Sequence, residues 1–193
     1  MEQDPDSVIE SHFHLENEFQ VMVAGSGSLG RHPVQTVSVH YAGAHTGYGP
    51  ITSGSNGLSY FTLRARMDSG AQFLPEAREK MQRVPKRHLL GNPVRPSEAT
   101  ELAARAEAQV LTVLDPQPDG IAAWLLRIPA GRAAPAPDHR GGARFIVVIG
   151  GVLELNSERL SRFSTVFTSG EEAAPQLRAG TEGLELLLLQ FPS

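Results

Sequence analysis

Three side chains near the start of the chain have the types and spacing of a metal-binding cluster: His12, His14 and Glu18. In an extended segment alternate side chains share a face, so His12-Phe13-His14 presents two imidazoles together, with Cα atoms about 6.6–7 Å apart. Both rings can then reach one ion at about 2 Å. Glu18 has the same parity, yet in an unbroken strand it would lie roughly 20 Å from His12. Leu15-Glu16-Asn17 must therefore turn the chain, and a hairpin there would set the Glu18 carboxylate beside the imidazole pair. The stretch from Val39 to Pro50 offers His40 and His45 as further ligands. Two or three imidazoles and one carboxylate leave coordination positions open for water, O2 or substrate. They suit Fe2+ first, with Mn2+, Ni2+, Co2+ or Zn2+ as alternatives. Cysteine is absent, which excludes disulfides, thiolate nucleophiles and Cys-ligated metals.

Short β-like runs must position these groups. Phe19–Val23, Gln35–Tyr41 and Leu58–Ala65 carry β-branched or aromatic residues between Gly and Pro punctuation, as do Phe145–Ile149, Ser164–Thr168 and Leu184–Phe191. Many short strands at this spacing indicate a barrel or sandwich. The chain also repeats itself. At an offset of 126 residues, 12–63 lies without a gap over 138–189, with nine of 52 positions identical, among them turn glycines and apolar strand positions. Between the copies, Pro75 to Arg83 and Glu98 to Glu107 read as short helices, and Val110–Leu114 and Ile121–Ile128 as strands before a loose Pro129–Pro137 loop. The domains expected are 1–72, a helical and loop connector 73–108, and 109–193.

The first cluster resembles the first motif of the cupin superfamily: Gly, five residues, His-x-His, three or four residues, Glu, six residues, Gly. His12, His14, Glu18 and Gly25 match it, whereas Asp6 stands where the leading glycine would be. The resemblance implies a mainly β protein of two cupin-type barrels (double-stranded β-helix, or jelly roll) joined by a partly helical connector. Because the motif lies so early, strands ahead of it must come from the connector or a partner chain. The resemblance also implies a later histidine ligand, and His45 is preferred because it follows a Gly turn as the family's second-motif histidine does, with His40 as the alternative. In the second copy His12, His14, Glu18 and His45 become Asp138, Arg140, Arg144 and Glu171, so that barrel is expected to be structural.

The function implied is a mononuclear metal-dependent enzyme, foremost a dioxygenase-type oxidoreductase acting on a small oxygenated organic substrate. Glu18 would tune charge or act as base, and Gln20, Met22, Tyr48 and Tyr60 would line the pocket. A metal-dependent isomerase, lyase or decarboxylase, or a non-catalytic small-molecule-binding cupin, are the alternatives. The chain is 40% hydrophobic and 20% charged, with net charge −4 and no Lys/Arg-rich stripe, which argues against nucleic acid as partner. Its acidic start is unlike a secretory signal, and its apolar runs are too short to cross a bilayer. A cytoplasmic protein with a small-molecule substrate is expected, with a homodimer as an open option.

Overall fold

Two long strands organise the first half of the chain, and their glycines allow them to bend without ending. The computed structural model describes residues 1–137 and 141–193. It divides into two units, Met1–Pro93 and Val94–Ser193. The first holds β1 (Glu2–Gln3), β2 (Val8–Ile9), β3 (His12–Phe13), β4 (Glu18–Leu29), β5 (His32–Gln35), β6 (Val39–Ala42), β7 (Ile51–Leu63), β8 (Gln72–Phe73) and β9 (His88–Leu90). Seven of these strands form one sheet in the order β1-β7-β4-β6-β9, with β2 on β7 and β5 on β4, while β3 pairs with β8.

The register of β4 against β7 shifts between Met22 and Ala24 and again between Gly25 and Gly27. Each shift bends the ladder. The front of β4, Glu18–Val21, pairs with β6, and its rear, Ser26–Leu29, pairs with β5. Gly25 is obligatory here. Its φ is +76°, and a Cβ would lie 2.1 Å from the Gly57 carbonyl oxygen.

The second unit holds α1 (Ala99–Ala103), β10 (Gln109–Leu114), β11 (Ala122–Ile128), β12 (Ala133–Pro135), β13 (Arg144–Leu155), β14 (Glu158–Leu160), β15 (Thr165–Thr168) and β16 (Gln176–Gln190). Its seven-stranded sheet runs β10-β11-β16-β13-β14, with β12 on β16 and β15 on β13. The 126-residue repeat reappears in its details. β13 begins and ends at the positions equivalent to β4, and β15 at those equivalent to β6. The register shifts recur at Val148/Gly150 and Gly151/Leu153. Gly151, the counterpart of Gly25, has φ +69°, and a Cβ there would lie 2.0 Å from the Gly183 oxygen. This is a mainly β fold of two barrel units, as the sequence pattern implies.

Local readings differ at several points. Gln35–Tyr41 is not one strand, because Val37 takes φ +72° and splits it into β5 and β6. The Pro75–Arg83 helix reduces to a 3-10 turn at Arg78–Lys80 with no buried residue, and Glu98–Glu107 to five residues of α1 that bury only Leu102. Neither segment has the apolar stripe that holds a longer helix against a core. The loop at 129–137 contains β12. The strands ahead of the motif come from residues 2–9, with β8 and β9 completing the first unit. The division at residue 93 falls inside the segment read as a connector. No helix among the described residues is long and apolar enough to cross a membrane.

Candidate metal centre

His12 and His14 leave β3 on one side and Phe13 on the other, as strand alternation requires. β3 does not form a hairpin with β4. It pairs with β8, and His12 exchanges backbone hydrogen bonds with Tyr48 at 3.0 and 3.1 Å. The chain instead turns a corner between sheets. Leu15 N–H donates to Asp68 Oδ1 at 3.0 Å, and Asn17 Oδ1 accepts from Ala44 N–H at 2.9 Å. That corner delivers Glu18, at the head of β4, to within 3.9 Å of His14 Nε2 through its Oε2. The His12 and His14 rings stand edge to face with centroids 5.4 Å apart. All three side chains are buried.

Hydrogen bonding fixes the tautomers. His12 Nδ1 lies 2.7 Å from the Glu10 carbonyl, which only accepts, so Nδ1 carries the proton. His14 Nδ1 lies 2.6 Å from Asp68 Oδ2. Burial pushes the Asp68 carboxyl up, but hydrogen bonds from His14, Gly70 and Leu15 outweigh it and hold it below its ordinary range. Asp68 is therefore an ionised acceptor, and His14 also carries its proton on Nδ1. With Nδ1 engaged in both rings, Nε2 is the ring nitrogen left to face the site, the arrangement that outer partners impose on metal-ligating histidines.

Tyr48 Oη lies at the meeting point. It donates its single proton to Glu18 Oε1, accepts from Gln20 Nε2 at 3.3 Å, and sits 3.0 Å from His12 Nε2. Burial lowers the His12 imidazole below its ordinary value, so its Nε2 bears no proton. His12 Nε2, Tyr48 Oη and the Glu18 carboxylate thus gather electron-rich atoms at one point, which suits a cation. Burial, with Glu18 nearby, raises the Tyr48 hydroxyl far above the ordinary tyrosine value and keeps it protonated. The donor chemistry fits a divalent metal on His12, His14 and Glu18.

A second cation is already in the constellation. Arg64 Nη2 donates to Glu18 Oε2 at 2.5 Å and lies 3.1 Å from each ring nitrogen of His14. A point equidistant from both nitrogens cannot lie on the lone-pair axis of either, so the guanidinium borders the His14 ring without consuming Nε2. Among the described residues no three His, Asp or Glu side chains stand jointly at metal-binding separations. Tyr48 stands between His12 and Glu18, and Arg64 between His14 and Glu18.

The two later histidines part company. His45, at φ +57°, places its ring 5.9 Å from that of Phe13, and its Nδ1 accepts from Gln82 N–H at 3.4 Å. It does not join His12 and His14. His40 on β6 is the one that faces them: it pairs in register with Gln20, donates from Nδ1 to Gln20 Oε1 at 2.8 Å, and lies 5.0 Å from the Tyr48 ring. Its Nε2 is buried with no hydrogen-bond partner. Of the expected pocket residues, Gln20 links His40 to Tyr48, while Met22 and Tyr60 pack in the core with Tyr48. Burial, then Glu18, pushes the Tyr60 hydroxyl up to about 12. Arg64 and Asp68 have no place in the sequence reading. They follow β7 by a few residues, and only the β4–β7 register brings them to the site.

Burial first, then His88 and His12, hold the His40 imidazole well below its ordinary value. Such a group takes up a proton more readily once unfolded, near pH 6.5. Its contribution is therefore present above about pH 6.5 and lost as pH falls toward the depressed folded value, and His12 acts in the same sense. In EDTA the melting temperature is expected to drop between about pH 7 and about pH 5. The drop should be shallower in His40→Gln. A drop equally steep in both would contradict this assignment.

The second unit has no counterpart site among its described residues. Asp138 and Arg140 lie outside the described residues. At the position of Glu18 stands Arg144, fully buried, with Nε on Gln190 Oε1 at 3.1 Å, and Glu171 is exposed. Gln20, Met22, His40 and Tyr60 are replaced by Ile146, Val148, Val166 and Leu186, which belong to one apolar cluster. A cleft of about 760 Å³ in this unit is lined by Glu154, Phe167, Glu172 and Arg178 among others, and contains no histidine.

No protein-family model matches the sequence, and no curated protein is significantly similar to it. Solved structures are similar in fold. Salicylate 1,2-dioxygenase from Pseudaminobacter salicylatoxidans superposes with TM-score 0.56 at 12% identity, covering 98% of this chain and 69% of that one. A bacterial pirin from Escherichia coli in complex with nickel(II) gives 0.55 at 15%, over 97% and 80%. A cupin 2 conserved barrel domain protein from Leptotrichia buccalis gives 0.52 at 13%, over 97% and 79%. The chain spans 65% to 80% of the length of such structures. Likeness at this level establishes the fold, and the fold is that of the cupins. More narrowly, the chain has the two-barrel form, with a second barrel filled by apolar side chains.

Proposed function

We propose that the first barrel is a mononuclear metal centre of oxygenase type, acting on a small oxygenated organic molecule. One observation carries this reading: buried imidazoles locked with the proton on Nδ1 keep Nε2 lone pairs beside the buried Glu18 carboxylate. His12, His14 and Glu18 would hold the ion, with His40 in place of His45 as the further ligand. When bound, a divalent transition metal supplies Lewis-acid charge withdrawal and, as Fe2+, reactivity toward O2.

The remaining roles belong to the chain. The Glu10 carbonyl and Asp68 orient the two rings, so that the first two ligands are set before a substrate arrives. Gln20 spans His40 and Tyr48 and fixes both at once. Tyr48 holds its proton at Glu18 Oε1, next to where substrate oxygens would lie, and stays protonated as a fixed hydrogen-bond donor. Met22 and Tyr60 wall the interior and exclude water.

The salicylate 1,2-dioxygenase neighbour is known with gentisate adducts, so hydroxylated aromatic acids are the first substrates to try. Protein loaded with Fe2+ is expected to consume O2 in an oxygen-electrode assay when one such compound is present, and not without iron. Turnover under strict anaerobiosis would instead favour a redox-neutral isomerase, lyase or decarboxylase. The Arg64 guanidinium between His14 and Glu18 favours a second reading, a binding barrel that works without a metal. Ligand affinity unchanged by EDTA, without turnover, would select it.

A further inference from the structure

We propose that Arg64 is a movable counter-ion of this centre, which competes with the metal for Glu18 and yields by swinging onto Asp68; the proposal rests on the metal reading above. The guanidinium is held at one end only. Its Nη2 is 2.5 Å from Glu18 Oε2, the same oxygen that lies 3.9 Å from His14 Nε2 and that a shared ion would need. A metal bound to both residues would sit within about 2 Å of each. It would then face a like charge at a few ångströms, in a buried setting where screening is weak. The two cations exclude each other.

The alternative resting place is also present. Arg64 Nε is buried with no hydrogen-bond partner, an unsatisfied donor in its current position. Asp68 Oδ2 lies 3.9 Å from it, just beyond hydrogen-bond reach. A small rotation away from Glu18 would satisfy Nε on Asp68. Asp68 is also the acceptor that orients His14, so the same carboxylate would steady the ligand and receive the displaced arginine. Arg64 is thereby a positioning residue that sets metal affinity, keeping the buried Glu18 charge compensated whenever the metal is not there.

The direction of the effect separates this role from a merely structural one. If Arg64 only propped up Glu18, removing it would loosen the carboxylate and weaken metal binding. As a competitor, its removal strengthens binding. The test measures Ni2+ affinity by calorimetry on EDTA-treated, dialysed protein, for the wild type, Arg64→Gln and, as a control, the exposed Arg66→Gln. Arg64→Gln is expected to bind at least about tenfold more tightly than the wild type, and Arg66→Gln the same as the wild type. Arg64→Gln should also melt at a lower temperature without metal and gain more from Ni2+ than the wild type does. Arg64→Met, closer in volume to arginine, replaces it if the Gln variant does not fold. Equal or weaker affinity in the Arg64 variants, with the wild type binding Ni2+, would overturn the proposal and leave the metal centre standing. Failure of every protein to bind Ni2+ would overturn both.

Discussion

The His12→Ala/His14→Ala variant is expected to hold at least about 100-fold less tightly any divalent metal that the wild type binds, and to lose metal-dependent O2 uptake with it. The expectation follows from which bonds are lost. Removing a partner that merely orients a ligating histidine costs about 10–100-fold in affinity. Deleting two ligands that are already oriented, by the Glu10 carbonyl and by Asp68, must cost more. The residual set, Glu18 and His40, is a weak site for any ion that prefers nitrogen donors. Elemental analysis of protein equilibrated with limiting Fe2+ or Ni2+ measures the loss directly. Asp68 keeps hydrogen bonds from the Leu15 and Gly70 amides, so the corner at residue 15 should survive the substitution, and circular dichroism checks that it does. A double variant that retains wild-type metal and activity would remove the centre from the account.

Glu18→Ala is expected to be strongly destabilising to the first unit. The Glu18 side chain is fully buried and receives both the Tyr48 hydroxyl and the Arg64 guanidinium. Truncation leaves the Tyr48 phenol without its acceptor, and leaves Asp68, 3.9 Å from Arg64 Nε, as the remaining carboxylate for the guanidinium. Breaking a buried ion pair by removing one partner costs about 3–5 kcal/mol when the other charge stays unpaired, and the turn of Arg64 onto Asp68 reduces this to about 2–3 kcal/mol. Urea unfolding in EDTA should show a loss of that size, whereas the exposed Glu79→Ala should stay within about 0.5 kcal/mol of the wild type. Metal retention should fall in Glu18→Ala as well. A loss below about 1 kcal/mol would mean that Tyr48 finds another acceptor and that the carboxylate is no keystone.

Much of the fold was legible because the two copies constrain each other. Gly25 and Gly151, read as repeated turn residues, instead mark bulges inside long strands, so Phe19–Val23 and Phe145–Ile149 are only the front halves of β4 and β13. Glycine in a strand reads as an ending when the bulge it permits cannot be seen. The His-x-His pair was legible from local alternation alone. Its acid partner was too, although the turn between them is a corner between sheets and not a hairpin.

What sequence could not supply is whatever depends on register across the sheet. His40 and His45 are five residues apart, and a left-handed residue separates their rings: the φ of His45 carries its ring to the side of Phe13. Arg64 and Asp68 lie 46 to 54 residues from the groups they bind, and no spacing rule spans that distance. Tyr48 was expected from the sequence as a pocket aromatic. Its place as the hydroxyl joining Glu18, Gln20 and His12 follows only from the bridge that pairs it with β3.

The most direct test is an anomalous difference map from crystals of the protein soaked in a Mn2+, Fe2+ or Ni2+ salt. A single strong peak within bonding distance of His12 Nε2, His14 Nε2 and a Glu18 oxygen is the predicted result. A map whose peaks all lie elsewhere, with Arg64 still seated on Glu18 in metal-saturated crystals, would contradict it.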